Sequence, residues 1–445
     1  MKMVKVITYG TYDLFHKGHY NLLKHAKELG DYLIVAVTSD AFDKARGKLN
    51  VHDPLITRIK NVEATGLADE VIVEEYFGQK IDDIKKHDID IFTVGSDWVG
   101  HFDYLSEYCK VIYLDRTKGI SSTELRSKNA INLGIIGAED IVTRFIKELN
   151  FVSGINIVGV YDPDLGRLTN ISSKGSLRSY DSLDELLDIV DAVYVASPPK
   201  YHYEYIRKAL EKGKHVLCEF PFSVVFKEAE ELALLAKKHN LILMEALKTA
   251  YCPAFCKLVP MVKSGLLGDI IAVDACFTQI QGDKLDEQVR IASGGSVNAL
   301  ASYPLLAIVK ILGTDFQDVR FVSKFVNNID IYTHFEVFYK NTLGNGTVAI
   351  NAKNEGALTV TGTKGYLYVP APWWKTDYFE IRYENINDNS KYFYKFDGDG
   401  LRYEIVEFLN AIKTGEMSQC LTIDEMIAIS KLMNRFYECK DITRI

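Results

Sequence analysis

The chain has 445 residues, too many for one hydrophobic core, so its length predicts two or three domains. A formal net charge of −8 argues against general binding to nucleic acid or to anionic membranes. No apolar run approaches the ~20 residues that a transmembrane helix needs, and the first residues lack the charged and apolar regions of a signal peptide, so we expect a cytoplasmic protein.

Residues 1–128 form the first predicted domain, in which short apolar runs alternate with helical patterns. Five runs are β-branched and bounded by Gly, Asp or Ser, as expected of parallel strands that are buried on both faces. These runs are residues 4–8, 32–37, 71–73, 91–94 and 111–113. A helical pattern over residues 20–29 follows the first run and ends at Gly30. The alternation predicts an α/β fold with a doubly wound parallel sheet, whose ligand lies beyond the carboxyl ends of the strands.

A histidine motif lies between the first run and this helix, where residues 10–19 have the sequence G-T-Y-D-L-F-H-K-G-H. His16 and His19 are three residues apart, so both rings lie on one face of the first helical turn. Gly18 allows a phosphate to approach the backbone closely, and a helix N-terminus attracts anions. Two surface histidines on an ordinary helix are the alternative, but the preceding strand and turn favour a polyphosphate site.

The motif resembles the H-x-G-H signature of the nucleotidyltransferase superfamily, and the wider match is to the glycerol-3-phosphate cytidylyltransferase family. Matching segments follow in order at residues 29–37, 69–72, 79–80, 89–98, 102–105 and 116–123. The resemblance implies transfer of CMP from CTP to a small alditol phosphate, with glycerol 3-phosphate the nearest match. It further implies a CDP-alditol product for teichoic-acid or capsule synthesis. Mg²⁺ is expected on the CTP phosphates, held largely by substrate oxygens and water, so no protein metal site is expected.

The same resemblance assigns roles to individual residues. Catalytic roles around the triphosphate fall to His16, His19, Lys44 and Arg116. Nucleotide binding falls to the signature turn, the later loops and a hydroxyl pair, namely Thr11, Asp13, Gly18, Lys48, Gly95, Asp97, Ser121 and Ser122. Thr11 and Asp13 either act directly or cap the turn, and Trp98 lies either near the nucleotide or in the core. Arg58 and Lys80 are the candidates for the acceptor phosphate, with ordinary surface charges as the alternative.

A second alternating pattern begins near residue 129. Strands are predicted at residues 131–136, 156–161, 192–196, 215–218 and 241–245, and helices at 141–149, 202–212 and 227–239. This order predicts a Rossmann domain over residues 129–248. Longer alternating runs after residue 269 predict an α+β domain over residues 249–445, with a largely antiparallel sheet and a closing helix at 403–412. The seven cysteines are scattered, and the Cys252–Cys256 spacing matches neither a zinc knuckle nor a redox pair, so we expect reduced thiols.

This second part resembles the glucose-fructose oxidoreductase and inositol dehydrogenase family at residues 133–138, 160–162, 196–202, 209–219, 294–303 and 362–365. The resemblance implies a possible NAD(P) site at Gly137, Asp162, Glu219, Lys248 and Tyr303. Three positions depart from the family pattern. Glu139 replaces a glycine beside the pyrophosphate and repels it, Phe220 replaces a proton-handling lysine, and Ala299 replaces a carboxylate. Lys248 either substitutes for the missing lysine or is a solvated surface lysine.

Two interpretations of the whole chain follow. In the first, the protein is a cytidylyltransferase whose second part binds, scaffolds, dimerises or senses a sugar phosphate. In the second, the protein is bifunctional, and its second part reduces a ketose or aldose phosphate with NAD(P)H to supply the alditol phosphate. Glu139 and Phe220 favour the first interpretation. In either case we expect small-molecule substrates, no nucleic-acid or membrane partner, and a homo-oligomer.

Overall fold

The computed structural model describes residues 3–45, 48, 51–76, 78–115, 130–175, 177–280, 294–438 and 441–445. The chain divides into two compact units. The first comprises Met1–Ala130 with Phe151–Gly154, and the second comprises Ile131–Asn150 with Ile155–Ile445. No helix among the described residues is long and apolar enough to cross a membrane. The finer division of the second unit at residue 248 stays a prediction.

The first unit is built on a five-stranded parallel sheet with the order β3-β2-β1-β4-β5. Its strands are β1 (Lys5–Gly10), β2 (Tyr32–Thr38), β3 (Glu70–Glu74), β4 (Ile91–Gly95) and β5 (Lys110–Leu114). Its helices are α1 (Lys17–Lys27), α2 (Asp40–Ala45), α3 (Leu55–Glu63) and α4 (Gln79–His87). The predicted doubly wound sheet is thereby confirmed, and the strand order reverses between β1 and β4, where such folds bind ligands.

Both faces of this sheet are buried. Val6 and Leu33 pack into one apolar cluster, whereas their chain neighbours Ile7 and Ile34 pack into another. Successive strand residues point to opposite faces, so near-continuous apolar runs are what a sheet covered on both sides requires. Helix α1 begins three residues before the predicted start at residue 20, because His16 caps its N-terminus.

The second unit begins with another five-stranded parallel sheet, in the order β10-β9-β8-β6-β7. Its strands are β6 (Ile131–Ile136), β7 (Ile155–Tyr161), β8 (Ala192–Val195), β9 (His215–Glu219) and β10 (Leu243–Ala246). The associated helices are α5 (Asp140–Leu149), α6 (Leu165–Gly175), α7 (Leu183–Ile189), α8 (His202–Glu211) and α9 (Phe226–His239). This arrangement confirms the predicted Rossmann fold.

A nine-stranded mixed sheet follows, with the order β18-β17-β16-β15-β11-β14-β13-β12-β19. Its strands are β11 (Ile270–Thr278), β12 (Asp318–Val326), β13 (Ile329–Phe338), β14 (Leu343–Ala349), β15 (Leu358–Gly362), β16 (Gly365–Val369), β17 (Tyr378–Tyr383), β18 (Ser390–Phe393) and β19 (Ile442–Arg444). The pairs β11–β14 and β12–β19 are parallel and the others antiparallel, which confirms a largely antiparallel sheet.

The helices of this region are α10 (Pro253–Lys263), α11 (Gly295–Leu300), α12 (Ser302–Leu312), α13 (Leu401–Thr414) and α14 (Ile423–Tyr437). The prediction that the chain closes with a helix at 403–412 is wrong, because α14 and β19 follow α13. Helix α14 carries a capping box between Thr422 and Glu425, a local signal that the sequence prediction did not use.

Candidate functional sites

The histidine motif forms the start of α1, directly after the turn that leaves β1. His16 is the N-cap residue, and its Nδ1 accepts a hydrogen bond from Gly18 N at 3.0 Å. A neutral imidazole that accepts at Nδ1 carries its proton on Nε2, so the geometry leaves His16 as a donor at that atom. The rings of His16 and His19 stack with centroids 4.0 Å apart, and His19 also packs against Tyr12 and Phe15. The structure therefore brings both imidazoles together at a helix N-terminus.

The turn between β1 and α1 is strained and held by polar contacts. Tyr12 and Leu14 adopt positive φ angles of 54° and 48°, a backbone region that costs non-glycine residues roughly 1–3 kcal/mol each. Asp13 is buried and its Oδ1 accepts from His52 N at 3.0 Å and Asp53 N at 2.9 Å. These bonds support a turn-stabilising role for Asp13, which was one of its two predicted roles.

Asp13, His52 and Asp53 also place one metal-ligating atom each within 4.8 Å of one another. Asp53 Oδ2 accepts from Leu14 N at 3.1 Å, and Asp53 Oδ1 lies 2.9 Å from His52 Nδ1. The backbone and side-chain bonds of the turn account for this cluster.

Two of the predicted nucleotide-binding residues contact each other. Lys48 Nζ donates to Thr11 Oγ1 at 2.7 Å, and Thr11 Oγ1 donates to Asp43 Oδ1 at 3.0 Å. Lys44 is an exposed residue in the last turn of α2. Arg116, Ser121 and Ser122 lie outside the described residues.

Gly95 ends β4, the strand beside β1, and Asp97 follows in a short helical turn, Ser96–Trp98. Gly10 ends β1, so these loops leave the same edge of the sheet. Trp98 is 43% exposed, which makes the alternative that it belongs to the core wrong. A role near the nucleotide stays a prediction for Asp97.

Arg58 is a fully buried arginine on α3. Its Nη1 donates to the carbonyl oxygens of Thr11 at 2.7 Å and Thr38 at 2.8 Å, and its Nε donates to Asp53 O at 2.9 Å. Its Nη2 donates to the carboxylate of Asp40. The alternative of an ordinary surface charge is therefore wrong for Arg58. Its partners lie in several separate segments, so no local sequence pattern indicated its burial.

Lys80 on α4 is also largely buried, so the surface-charge alternative is wrong here too. Its ammonium pairs with the buried Glu74 and lies 4.4 Å from the centroid of the Tyr9 ring. The Tyr9 hydroxyl donates to Asp83 Oδ2 at 2.8 Å. Burial, together with the charges of Asp83 and Glu74, raises the pKa of Tyr9, which keeps this phenol protonated. An acceptor-binding role stays a prediction for both Lys80 and Arg58.

The second unit contains a cavity of about 320 Å³ at the carboxyl ends of β9 and β10. Three of the residues predicted for the NAD(P) site line it together, namely Glu219, Lys248 and Tyr303. Phe220 and Ala299, two of the positions that depart from the family pattern, line it as well. Lys248 is only 7% exposed, so the interpretation of a solvated surface lysine is wrong.

Burial raises the pKa of three carboxyl groups at or near this cavity. Desolvation raises the pKa of Glu219, which accepts a hydrogen bond from the Tyr194 hydroxyl, to about 7. Desolvation raises the pKa of Glu245 to about 8 and that of Glu404 well above its usual value. Burial acts oppositely on the ammonium of Lys248 and lowers its pKa.

The turn after β6 is where a Rossmann fold places the pyrophosphate of a dinucleotide. Gly137 has a φ of +102°, and a Cβ there would lie 2.3 Å from the carbonyl oxygen of Ala196, so this glycine is required by close strand packing. The carboxylate of Asp162 accepts from Ala138 N at 2.8 Å, which uses one of the amides of the turn.

Glu139 places a carboxylate in the same turn. Arg167 Nη1 pairs with Glu139 Oε1 at 2.8 Å, and Arg167 Nη2 lies 3.4 Å from Asp162 Oδ1. Arg167 Nε also lies 3.6 Å from Asp164 Oδ2. One cation is therefore close to three carboxylates, and the net charge of these four side chains is negative. The residues at this turn do not fit a dinucleotide pyrophosphate.

Comparisons with known proteins divide the chain in the same way. Residues 7–128 match the cytidylyltransferase-like family model, and residues 131–247 match that of the oxidoreductase family with an NAD-binding Rossmann fold. The glycerol-3-phosphate cytidylyltransferase of Bacillus spizizenii is 53% identical over 128 residues, covering 29% of this chain and 98% of that protein.

Relatives of the second unit are more distant. The scyllo-inositol 2-dehydrogenase (NADP(+)) of Bacillus subtilis is 36% identical over 131 residues, covering 29% of this chain and 40% of that protein. The crystal structure of KijD10, a 3-ketoreductase from Actinomadura kijaniata in complex with NADP and TDP-benzene, aligns with 71% of this chain and 99% of its own at a TM-score of 0.63. Its sequence identity is 22%, so this likeness is one of fold.

Proposed function

We propose that this protein, which belongs through its first unit to the glycerol-3-phosphate cytidylyltransferase family, transfers CMP from CTP to a small alditol phosphate. The observation that carries the proposal is the stacked His16–His19 pair at the N-terminus of α1. The pair lies after the β1 turn, at the edge of the sheet where doubly wound folds bind their ligands. Glycerol 3-phosphate is the proposed acceptor, because the family is defined by it.

In the proposed reaction a phosphate oxygen of the acceptor attacks the α-phosphorus of CTP, and pyrophosphate leaves in line. The protein aligns two anions and stabilises the charge that develops on the transferred and leaving phosphates. His16 contributes a donor at Nε2, because its Nδ1 is engaged by Gly18 N. Lys44, Lys48 and Arg116 contribute positive charge. Mg²⁺ arriving with CTP supplies further charge neutralisation on the phosphates.

A pyrophosphate-release assay across several acceptors tests this proposal. Glycerol 3-phosphate, glycerol 2-phosphate and ribitol 5-phosphate would each be supplied with CTP and Mg²⁺. Release that requires both CTP and one alditol phosphate, with a CDP-alditol identified by mass spectrometry, is the expected result. Hydrolysis of CTP without a coupled product, or no release with any acceptor, contradicts the proposal.

The choice of nucleotide is a separate prediction. We expect ATP to replace CTP poorly, with a rate lower by roughly a hundredfold or more, because polar groups arranged for cytosine are left unpaired by adenine. The assay is the same pyrophosphate release at equal CTP and ATP concentrations. Equal rates would identify a general nucleotidyltransferase instead.

The bifunctional alternative assigns a reductase activity to the second unit. Its support is the fold and the cavity lined by Lys248 and Tyr303, and the acidic turn at Glu139 opposes it. We propose the cytidylyltransferase alone as the catalytic activity. A cytoplasmic location, homo-oligomeric assembly and a place in teichoic-acid or capsule synthesis belong to the same proposal.

A further inference from the structure

Two cysteines of the second unit lie side by side although they are far apart in sequence. Cys256 lies near the start of α10, and Cys420 lies in the segment between α13 and α14, residues 415–422. Their Sγ atoms are 3.6 Å apart across a separation of 164 residues. A disulfide bond is about 2.05 Å long, so a displacement of about 1.5 Å would join the two sulfurs. Both residues are half-buried, which leaves them within reach of a small oxidant.

The segment that carries Cys420 is held by polar contacts from two helices. Lys310 Nζ on α12 donates to the carbonyl oxygen of Gln419 at 3.1 Å. Ser418 Oγ donates to Glu407 Oε1 on α13 at 2.7 Å and accepts from Cys420 N at 3.1 Å. These bonds lie immediately before Cys420 in the chain, so the packing of α12 and α13 sets the position of its sulfur.

The two thiols differ in acidity. The hydrogen bond with Cys256 lowers the pKa of Cys420, and the charge of Lys310 acts in the same direction, whereas that of Glu407 opposes it. The same contact raises the pKa of Cys256, whose Sγ also lies 3.2 Å from the carbonyl oxygen of Ala250. The thiolate is the nucleophilic form of cysteine. Cys420 is therefore the sulfur that reacts first with an oxidant, and Cys256 is the thiol beside it.

Neighbouring cysteines have a different environment. Cys252 lies one helical turn before Cys256, but it is fully buried and its Sγ donates to the carbonyl oxygen of Lys248 at 3.2 Å. Burial raises the pKa of Cys252 and that of Cys218, which is also fully buried. Buried thiols of this kind are inert, so an oxidant should select Cys420.

We propose that Cys256 and Cys420 are a site of reversible covalent modification, at which a peroxide links α10 to the 415–422 segment through a disulfide. The Cys420 thiolate attacks one oxygen of the peroxide, the O–O bond breaks, and the second oxygen leaves as hydroxide while the sulfur becomes a sulfenic acid. The Cys256 sulfur then attacks this sulfenic sulfur. An S–S bond forms, the S–O bond breaks, and the oxygen leaves as water with the proton of the Cys256 thiol.

The two thiols supply the two electrons that reduce the peroxide, and a dithiol reductant reverses the reaction by thiol–disulfide exchange. In a reducing compartment such a bond is transient and follows the supply of oxidant. The proposal is independent of the transferase activity, since both cysteines belong to the second unit.

Peptide mapping of the intact chain tests the site directly. After treatment with hydrogen peroxide, free thiols are blocked with iodoacetamide and the protein is digested with trypsin. Cys420 then lies in peptide 414–431, and Cys256 lies in peptide 249–257 together with Cys252. We expect a linked pair of these peptides that dithiothreitol separates, that persists in Cys252→Ala and that is lost in Cys256→Ser.

Protein treated in urea is the control for the role of the fold. We expect the linked pair to form at least fivefold less there, because unfolding removes the contact between the sulfurs. Absence of the pair from the folded protein would overturn the proposal, as would equal yield after unfolding or loss of the pair in Cys252→Ala. This mapping needs only the parent chain if a variant does not fold.

Unfolding of the second unit gives a separate measurement. In a Trp98→Phe background the fluorescence of Trp373 and Trp374 follows this unit, since these are the other tryptophans of the chain. We expect peroxide treatment to raise its urea midpoint by roughly 0.5 M or more, because a cross-link between distant residues restricts the unfolded chain. The shift should vanish with dithiothreitol and be absent from identically treated Cys420→Ser. An unchanged or lower midpoint of the linked protein would overturn the proposed linkage of these elements.

Discussion

At the scale of single residues, His16 has a structural role as a helix cap and a proposed catalytic role. A single substitution could affect both stability and activity. Its ring caps α1 through Nδ1, and the proposed mechanism assigns Nε2 to the triphosphate. We expect His16→Ala to slow CTP turnover about a hundredfold and to cost about 1 kcal/mol of stability through the lost cap. His16→Asn keeps a capping side chain, so it should lose activity without the loss of stability.

His19 is the matched comparison, because it stacks on His16 but lies beyond the cap. His19→Ala should also slow CTP turnover about a hundredfold. Pyrophosphate release and thermal unfolding midpoints measure the two effects separately. Near-normal turnover in both His16→Asn and His19→Ala would remove the histidine pair from the proposed mechanism.

Glu245 supports a prediction about pH. Desolvation raises its pKa to about 8 in the folded protein, against 4.5 for the free group. The folded state therefore holds a proton that the unfolded state has released, so this group's contribution to stability is full below about pH 4.5 and is lost as the pH rises towards 8. The decline is at most about 1.4 kcal/mol per pH unit.

The test is Glu245→Gln, which preserves an acceptor for Phe222 N and cannot ionise. We expect the free energy of unfolding of this variant to decline less than that of the parent between pH 5 and pH 8. Glu416→Gln, at an exposed position, is the control. Parallel pH profiles for Glu245→Gln and the parent would show the prediction to be wrong.

At the scale of structural elements, one arginine on α3 binds the turn after β1 and the end of β2. Arg58 donates to the backbone carbonyl oxygens of Thr11 and Thr38. Removing it leaves the carbonyl oxygens of Thr11 and Thr38 without this donor and takes a cation away from the buried Asp43 carboxylate, so we expect Arg58→Met to cost roughly 3 kcal/mol or more. Lys60→Met, at an exposed position on the same helix, should cost little. The urea midpoint measures the difference; an unchanged midpoint with a raised KM for the acceptor phosphate would assign Arg58 to substrate binding instead.

The sequence predicted the helices and strands better than it predicted the surroundings of single side chains. Strand positions and the α1 motif followed from apolar runs and turn residues, because those patterns are local. The burial of Arg58 and Lys248 could not be predicted, because it depends on residues that are distant in sequence. Arg58 donates to the carbonyl oxygen of Thr38, and Lys248 lines the same cavity as Trp374. Helix α12 is buried on nearly every residue, so it presents no amphipathic stripe.

At the scale of the whole molecule, a transferase unit is joined to a unit with an oxidoreductase fold. We expect no micromolar binding of NADH or NADPH by calorimetry, and no cofactor oxidation with dihydroxyacetone phosphate or ribulose 5-phosphate, because Glu139 and its neighbours repel a pyrophosphate. If binding is absent, the pair Glu139→Gly and Phe220→Lys tests whether those two side chains are the obstacle. Micromolar binding with steady oxidation by the parent protein would establish the bifunctional enzyme.

Strand β19 covers part of β12 at one margin of the nine-stranded sheet. Its three residues pair with β12 and form one margin of the nine-stranded sheet. Strand β12 is nine residues long, and without β19 more of its amides and carbonyls would be open to pairing with another chain. A very short outer strand offers little template for such addition. Shortening the chain before residue 441 would therefore favour edge-to-edge aggregation.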